Sequence, residues 1–233
     1  MNEYLQFLIY DKNLSELIIY LVLTLPVVAT IVSFARHVIG IQTLGIYSPI
    51  ALTYAFFSLG IINGSVYADT VLGLKYGITL ILVVFIASTI MHLITRLVRL
   101  HYIPKMAIVL TGVVVAILAI MSLSAHMDKS GFISVNVLAL LLIILIAEQY
   151  INIYVNKNGK KAMKLGLMTV ILAILSYLLI SWDVFAKIVL NQPILVLIAT
   201  IVINLIIGRL TTLRLTEIFR FWDLLTQEPS DEK

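Results

Sequence analysis

The sequence predicts an all-α polytopic membrane protein, a bundle of seven transmembrane helices, and three observations predict it. Of 233 residues, 61% are hydrophobic and 12% charged, about half the charge usual for a soluble domain. The apolar residues fall into seven segments of 17–24 residues separated by short polar connections. Lysine and arginine then alternate in density from one connection to the next, the pattern that orients spans in a bilayer.

Residues 1–16 form a polar N-terminal segment. It does not read as a signal peptide, because it holds one lysine and three acids and lacks a small-residue cleavage site after an apolar run. The membrane domain covers residues 17–208. Its first span, 17–35, is nineteen residues without a formal charge, enough at about 1.5 Å per residue to cross a hydrocarbon core of about 30 Å. Pro26 is a kink position within it. The stretch 35–49 is the longest polar, glycine-bearing interruption of the chain, with Arg36 directly after the span, Gly40 and Gly45 available for unusual backbone geometry, and Pro49 suited to the first turn of the next helix.

The second span is 44–62, followed by a turn-rich connection over 63–76. The third, 78–94, closes with His92, Arg96 and Arg99 at helical spacing. The fourth, 106–123, follows Pro104 and Lys105. The fifth, 132–155, carries Glu148 and Gln149 in its last third. A basic turn with Lys157, Lys160, Lys161 and Lys164 leads to the sixth, 165–182. The seventh, 188–208, has Asn191-Gln192-Pro193 near its start and Asn204 near its end. The tail, 209–233, alternates charge with aromatic residues.

Seven spans put the termini on opposite sides. With the amino terminus outside and the carboxyl terminus inside, twelve of the sixteen lysines and arginines are cytoplasmic, and only Lys12, Lys75, Lys129 and Lys187 lie on the other face. The net charge of +4 is therefore a topology signal, and nucleic acid is not an expected partner. The expected location is a bacterial cytoplasmic membrane, with the lipid bilayer itself as the first partner.

No catalytic, cofactor or metal site is expected. Cysteine is absent; there is no His-Glu-x-x-His, no intramembrane aspartate pair and no Gly-x-Ser-x-Gly elbow. Gly40 and Gly45 lack the lysine and helix start of a phosphate loop. His92 reads as a satisfied interfacial histidine rather than a ligand, because no second histidine lies at i+3 or i+4.

The polar residues that need an explanation gather at the cytoplasmic ends of their segments. Arg36, Gln42, Thr43, Glu148, Arg209, Arg214 and Glu217 form the candidate constellation for binding a partner protein or an anionic small molecule, since arginine recognises carboxylate and phosphate through its forked donors. Glu148 follows sixteen uncharged residues, so its carboxylate calls for a partner or a proton. Arg36, Arg96 and Arg209 are the candidates. A register-fixing ion pair, ligand binding and a proton relay remain open for it. In the tail, Arg214, Glu217 and Phe221 recur at i, i+3 and i+7, which suits packing back onto the bundle or an exposed salt bridge on a continued helix. The rival to a binding module is a transporter or exporter of a small anionic or peptide-like substrate; it calls for a broken helix, at Pro49 or at Asn191-Gln192-Pro193, and a wet midplane.

Five segments in order carry a family resemblance: Leu25-Pro26-Val27-Val28-Ala29-Thr30 through Arg36-x-x-Ile39-Gly40-Ile41-Gln42-Thr43-x-Gly45-x-x-x-Pro49; Gly73-Leu74-Lys75-Tyr76-Gly77; Ile103-Pro104-Lys105-Met106-Ala107; Ala147-Glu148-Gln149-Tyr150; and Gly208-Arg209 through Arg214-Leu215-Thr216-Glu217-x-x-Arg220-Phe221. Together they resemble the bacterial seven-helix membrane domain usually found fused to an inactive transglutaminase-like domain. The resemblance implies a transglutaminase-like domain that is here either encoded separately, as a partner, or absent, and neighbours such as an ATP-grasp ligase-like protein and a pepsin-like protease. It implies a link to peptide or amino-acid conjugate handling by association, without a reaction.

Overall fold

A computed structural model describes residues 15–61, 68–97, 101–126, 136–156 and 159–210. Within them the chain is helical, apart from connections and one antiparallel bridge between Ile61 and Ala68. The helices are α1 (Glu16–Phe34), α2 (Tyr47–Gly60), α3 (Thr70–Arg96), α4 (Tyr102–His126), α5 (Val137–Asn156), α6 (Gly159–Ile180), α7 (Asp183–Asn191) and α8 (Pro193–Leu210). Each expected span overlaps one of α1 to α6 or α8, and the seventh also takes in the last four residues of α7.

Five helices, α1 and α3 to α6, are long and apolar enough to cross a membrane; α7 and α8 make a sixth if taken as one span, but they meet at 101° across Gln192. The break sits where proline follows two amides, because Pro193 cannot donate a backbone hydrogen bond and starts a helix readily. The expected second span differs most. Its helix begins at Tyr47 rather than residue 44 and has 14 residues, about 21 Å of rise against a core of about 30 Å.

That short helix is the centre of the bundle. α2 packs against α3, α5 and α6 and touches α1, while α4 lies outside against α3 and α5, and α8 lies against α1. Leu52, Phe56 and Phe57 of α2 are fully buried together with Tyr20, Leu80, Ile143, Ile146 and Tyr177. A helix apolar on every side is stable only when other helices enclose it. The outer faces of the bundle are apolar too: Val71, Leu82, Ile86 and Ile90 on α3 and most of α8 are exposed. Such a surface suits a hydrocarbon solvent, and the protein is a multi-pass membrane protein.

Lipid does not drive apolar helices together, so close contact needs small residues and interhelical hydrogen bonds. Gly73 and Gly77, four apart on α3, supply the first. A Cβ at Gly73 would overlap the Tyr177 hydroxyl and come within 2.7 Å of the Phe56 carbonyl oxygen, and one at Gly77 would overlap the Phe56 ring. At the same end Asp69 caps α3, accepting from the backbone N–H of Val71 at 3.0 Å and Leu72 at 3.2 Å, while Tyr177 donates to the Asp69 carbonyl at 3.1 Å. Tyr20 donates to the Ile180 carbonyl. Between α1 and α8 the Asn204 amide donates to the Thr30 hydroxyl at 2.7 Å, and Thr30 donates in turn to the Pro26 carbonyl at 2.7 Å.

Candidate functional site

The chain leaves α1 through a π-helical turn over Ala35–Ile39, a departure from α-geometry that occurs often at functional sites. Gly40 ends it in the left-handed conformation, φ 86°, which costs a residue with a Cβ about 1 kcal/mol or more. The Ile41 N–H then closes back onto the Ala35 carbonyl at 3.0 Å. Residues 40–46 consequently run without helical hydrogen bonds and must satisfy their backbone elsewhere.

Two of the segment's backbone groups, the Gly45 carbonyl and the Leu44 N–H, do so, and two side-chain hydrogen bonds hold its ends. Arg36 donates through Nη1 to the Thr43 hydroxyl at 3.3 Å, and that hydroxyl donates to the Gly45 carbonyl at 2.7 Å. The buried Leu44 N–H donates to Thr169 Oγ1 of α6 at 2.9 Å. Ser48, in the first turn of α2, donates to Gln149 Oε1 of α5. Gly45 lies beneath that amide, where an added Cβ would stand 2.9 Å from Gln149 Oε1.

The pinned segment walls a cavity of about 590 Å³ at the end of the bundle where α1 stops and α2 starts. Arg36, His37, Gln42 and Thr43 line one side, and Ile153 of α5 with Lys161 and Leu165 of α6 line the other. Thr43 is 6% exposed, so it orients Arg36 from a fixed position, whereas Gln42 is exposed. No carboxylate among the described residues lines the cavity. Arg36 and Lys161 form no ion pair with a described residue, which leaves two positive charges facing one concavity.

Of the sequence constellation, Arg36, Gln42 and Thr43 come together here. Glu148 does not join them. It lies on the exposed face of α5, in the row Leu141, Leu145, Glu148 and Asn152, and forms no ion pair with a described residue. The arginine partner expected for it is not found among those residues. Helical phase is the reason: the buried face of α5 carries Ile143, Ile146, Ala147 and Tyr150, and Gln149, one residue on, reaches Ser48. Arg209 is exposed at the end of α8 and does not line the cavity. Arg214 and Glu217 lie outside the described residues. Lys161, Gln149, Ser48 and Thr169 were missing from the sequence constellation; of these Lys161 had a signal in its place in the basic turn and Gln149 in its place inside an apolar span.

The model of a family described as seven transmembrane helices usually fused to an inactive transglutaminase matches residues 1–225. No curated protein and no solved structure matches the chain. With a match over nearly all of its length and a bundle of apolar helices at the expected positions, the chain belongs to the family of seven-transmembrane-helix domains usually fused to an inactive transglutaminase.

Proposed function

We propose that this protein is a non-enzymatic membrane module whose cavity at the Arg36 end binds an anionic group, a carboxylate or phosphate presented by a partner protein or a small molecule on the cytoplasmic side. One observation carries the reading: Arg36, held by the buried Thr43, and Lys161 share a cavity of about 590 Å³ that no carboxylate of the described residues lines. A guanidinium already held by one hydrogen bond loses less freedom on capturing an oxyanion, and its remaining donors match the geometry of that group. The lysine and arginine bias supports a bacterial cytoplasmic membrane, amino terminus outside and carboxyl terminus inside. Glu148 and Arg209 stay within the proposal as exposed residues beyond the cavity, and Arg214 and Glu217 stay within it from the sequence alone. Separately encoded transglutaminase-like, ATP-grasp ligase-like or pepsin-like proteins are the proposed partners.

A transporter or exporter is the second reading, and the 101° break between α7 and α8 favours it, since transporter sites are commonly built at discontinuous helices. The fully buried layer of Leu52, Phe56, Phe57, Leu80 and Ile143 favours the binding module. A photo-crosslinking residue at Gln42 in native membranes tests the choice. Capture of a discrete species that Arg36→Ala and Lys161→Ala abolish, with insertion intact, is the expected result; identical capture in both variants contradicts it.

A further inference from the structure

A second cavity, of about 680 Å³, opens between the ends of α3, α4, α5 and α6. Arg96, Lys105 and Lys160 line it from three helices, and no carboxylate among the described residues does. His92 lines it as well. This side chain is 7% exposed, packed edge-on against Tyr154 at 5.0 Å, and its Nδ1 is buried without a hydrogen-bond partner among the described residues. It is not the satisfied interfacial histidine expected from the sequence. A buried nitrogen without a partner is costly, and the ring that carries it lines a cavity walled by three cations.

The cavity does not end at these charges. Thr89, Tyr150 and Met163 line it and also line an apolar groove of about 480 Å³ between α3 and α6. Leu82, Ile86 and Ile90 form the α3 wall of the groove and are about half exposed, at 52%, 51% and 51%. Its floor is rigid: Phe85 stacks on Tyr150 at 4.5 Å, and the Tyr150 hydroxyl meets Thr89 Oγ1 at 3.1 Å. From Ile78 to Ile90 the groove runs about 18 Å along the helix, close to the depth of one leaflet, about 15 Å.

A basic chamber joined to an apolar channel of one leaflet's depth matches one class of molecule. We infer that an anionic phospholipid occupies both, its phosphate among Arg96, Lys105, Lys160 and His92 and one acyl chain in the α3–α6 groove. Basic pockets between transmembrane helices recognise phosphate head groups in this way. The lipid phosphate lies beside the histidine ring that lines the chamber, and the acyl chain fills a groove that no described helix covers. The site is separate from the cavity at Arg36.

The test uses the full chain, stripped of lipid in detergent and placed in nanodiscs of dioleoylphosphatidylcholine with increasing dioleoylphosphatidylglycerol, with retained lipid read by native mass spectrometry. Retention of phosphatidylglycerol over phosphatidylcholine by on the order of tenfold is expected, falling to parity in Arg96→Ala/Lys105→Ala/Lys160→Ala. His92→Phe, which keeps the ring packed on Tyr154, weakens the preference by several-fold on the scale of one charged hydrogen bond. Ile86→Trp fills the groove and removes retention with every charge in place, while Lys187→Ala leaves it unchanged. Displacement of the lipid by equimolar inorganic phosphate, with Ile86→Trp silent, would show a free-anion site and overturn the proposal. Equal retention of both lipids by the wild type, or a preference that survives the triple substitution, overturns it too.

Discussion

The Leu44 amide and the Thr169 hydroxyl, 125 residues apart, meet at 2.9 Å in the interior of the bundle. That bond fastens the non-helical segment between α1 and α2 to the middle of α6, and Thr169 passes its own hydrogen to the Leu165 carbonyl at 2.8 Å. Thr169→Val keeps the shape and deletes the acceptor, leaving a buried N–H unsatisfied. The expected loss of stability is about 1–3 kcal/mol, measured by steric trapping or denaturant unfolding in micelles. Thr169→Ser should retain most of it, and an equally stable valine variant would mean that the segment is held by other contacts.

Gly73 and Gly77 let α3 lie against Phe56 and Tyr177. Gly77→Ala should cost about 1–3 kcal/mol, the range for overpacking a close interface, and Gly73→Ala a similar amount. The check is the same unfolding measurement, with Gly208→Ala as the control because nothing lies within 4 Å of its added Cβ.

Gly40 occupies the left-handed region at φ 86°. Gly40→Ala should destabilise by about 1–2 kcal/mol and loosen the cavity wall, seen as faster maleimide labelling of a cysteine placed at Gln42 in a chain that otherwise has none. Gly40→Asn should lie between the two, since asparagine tolerates this conformation better.

Neighbours Glu148 and Gln149 should behave oppositely. Glu148 is exposed without an ion pair to a described residue, so Glu148→Gln should change stability by no more than about 0.5 kcal/mol. Gln149→Leu removes the acceptor of Ser48 and should cost about 1–2 kcal/mol.

Across the α1–α8 contact, a double-mutant cycle on Thr30→Val and Asn204→Leu should return a coupling of about 0.6 kcal/mol, the mean for hydrogen bonds between membrane helices. A coupling indistinguishable from zero would place α8 against α1 through packing alone.

Helix positions were readable because a bilayer imposes length and apolarity on every span, and seven segments obeying that rule stand out in this chain. The shortness of α2 was not readable: Leu44 and Ile46 are as apolar as any span residue, and only the Leu44 N–H bonded to Thr169 of α6 shows that the segment precedes the helix. The seventh span, 188–208, takes in only the last four residues of the amphipathic α7 and leaves 183–187 in the connection. In the site, Arg36, Gln42 and Thr43 were legible because charge and amides are conspicuous in so apolar a chain. The inward residue of the pair at 148 and 149 was misjudged by weighing charge above helical phase. Thr169 gave no signal, since a threonine inside a span most often satisfies itself on its own helix.

The claim beneath the rest is that the groups able to recognise an anion open toward the cytoplasm. Substituted-cysteine labelling of Gln42→Cys and Asp69→Cys with an impermeant maleimide, in intact spheroplasts and after lysis, measures this directly. Asp69→Cys labelled from outside and Gln42→Cys labelled only after lysis is the expected pattern. Both positions reacting from one side, or Gln42→Cys reacting in intact spheroplasts, would contradict it.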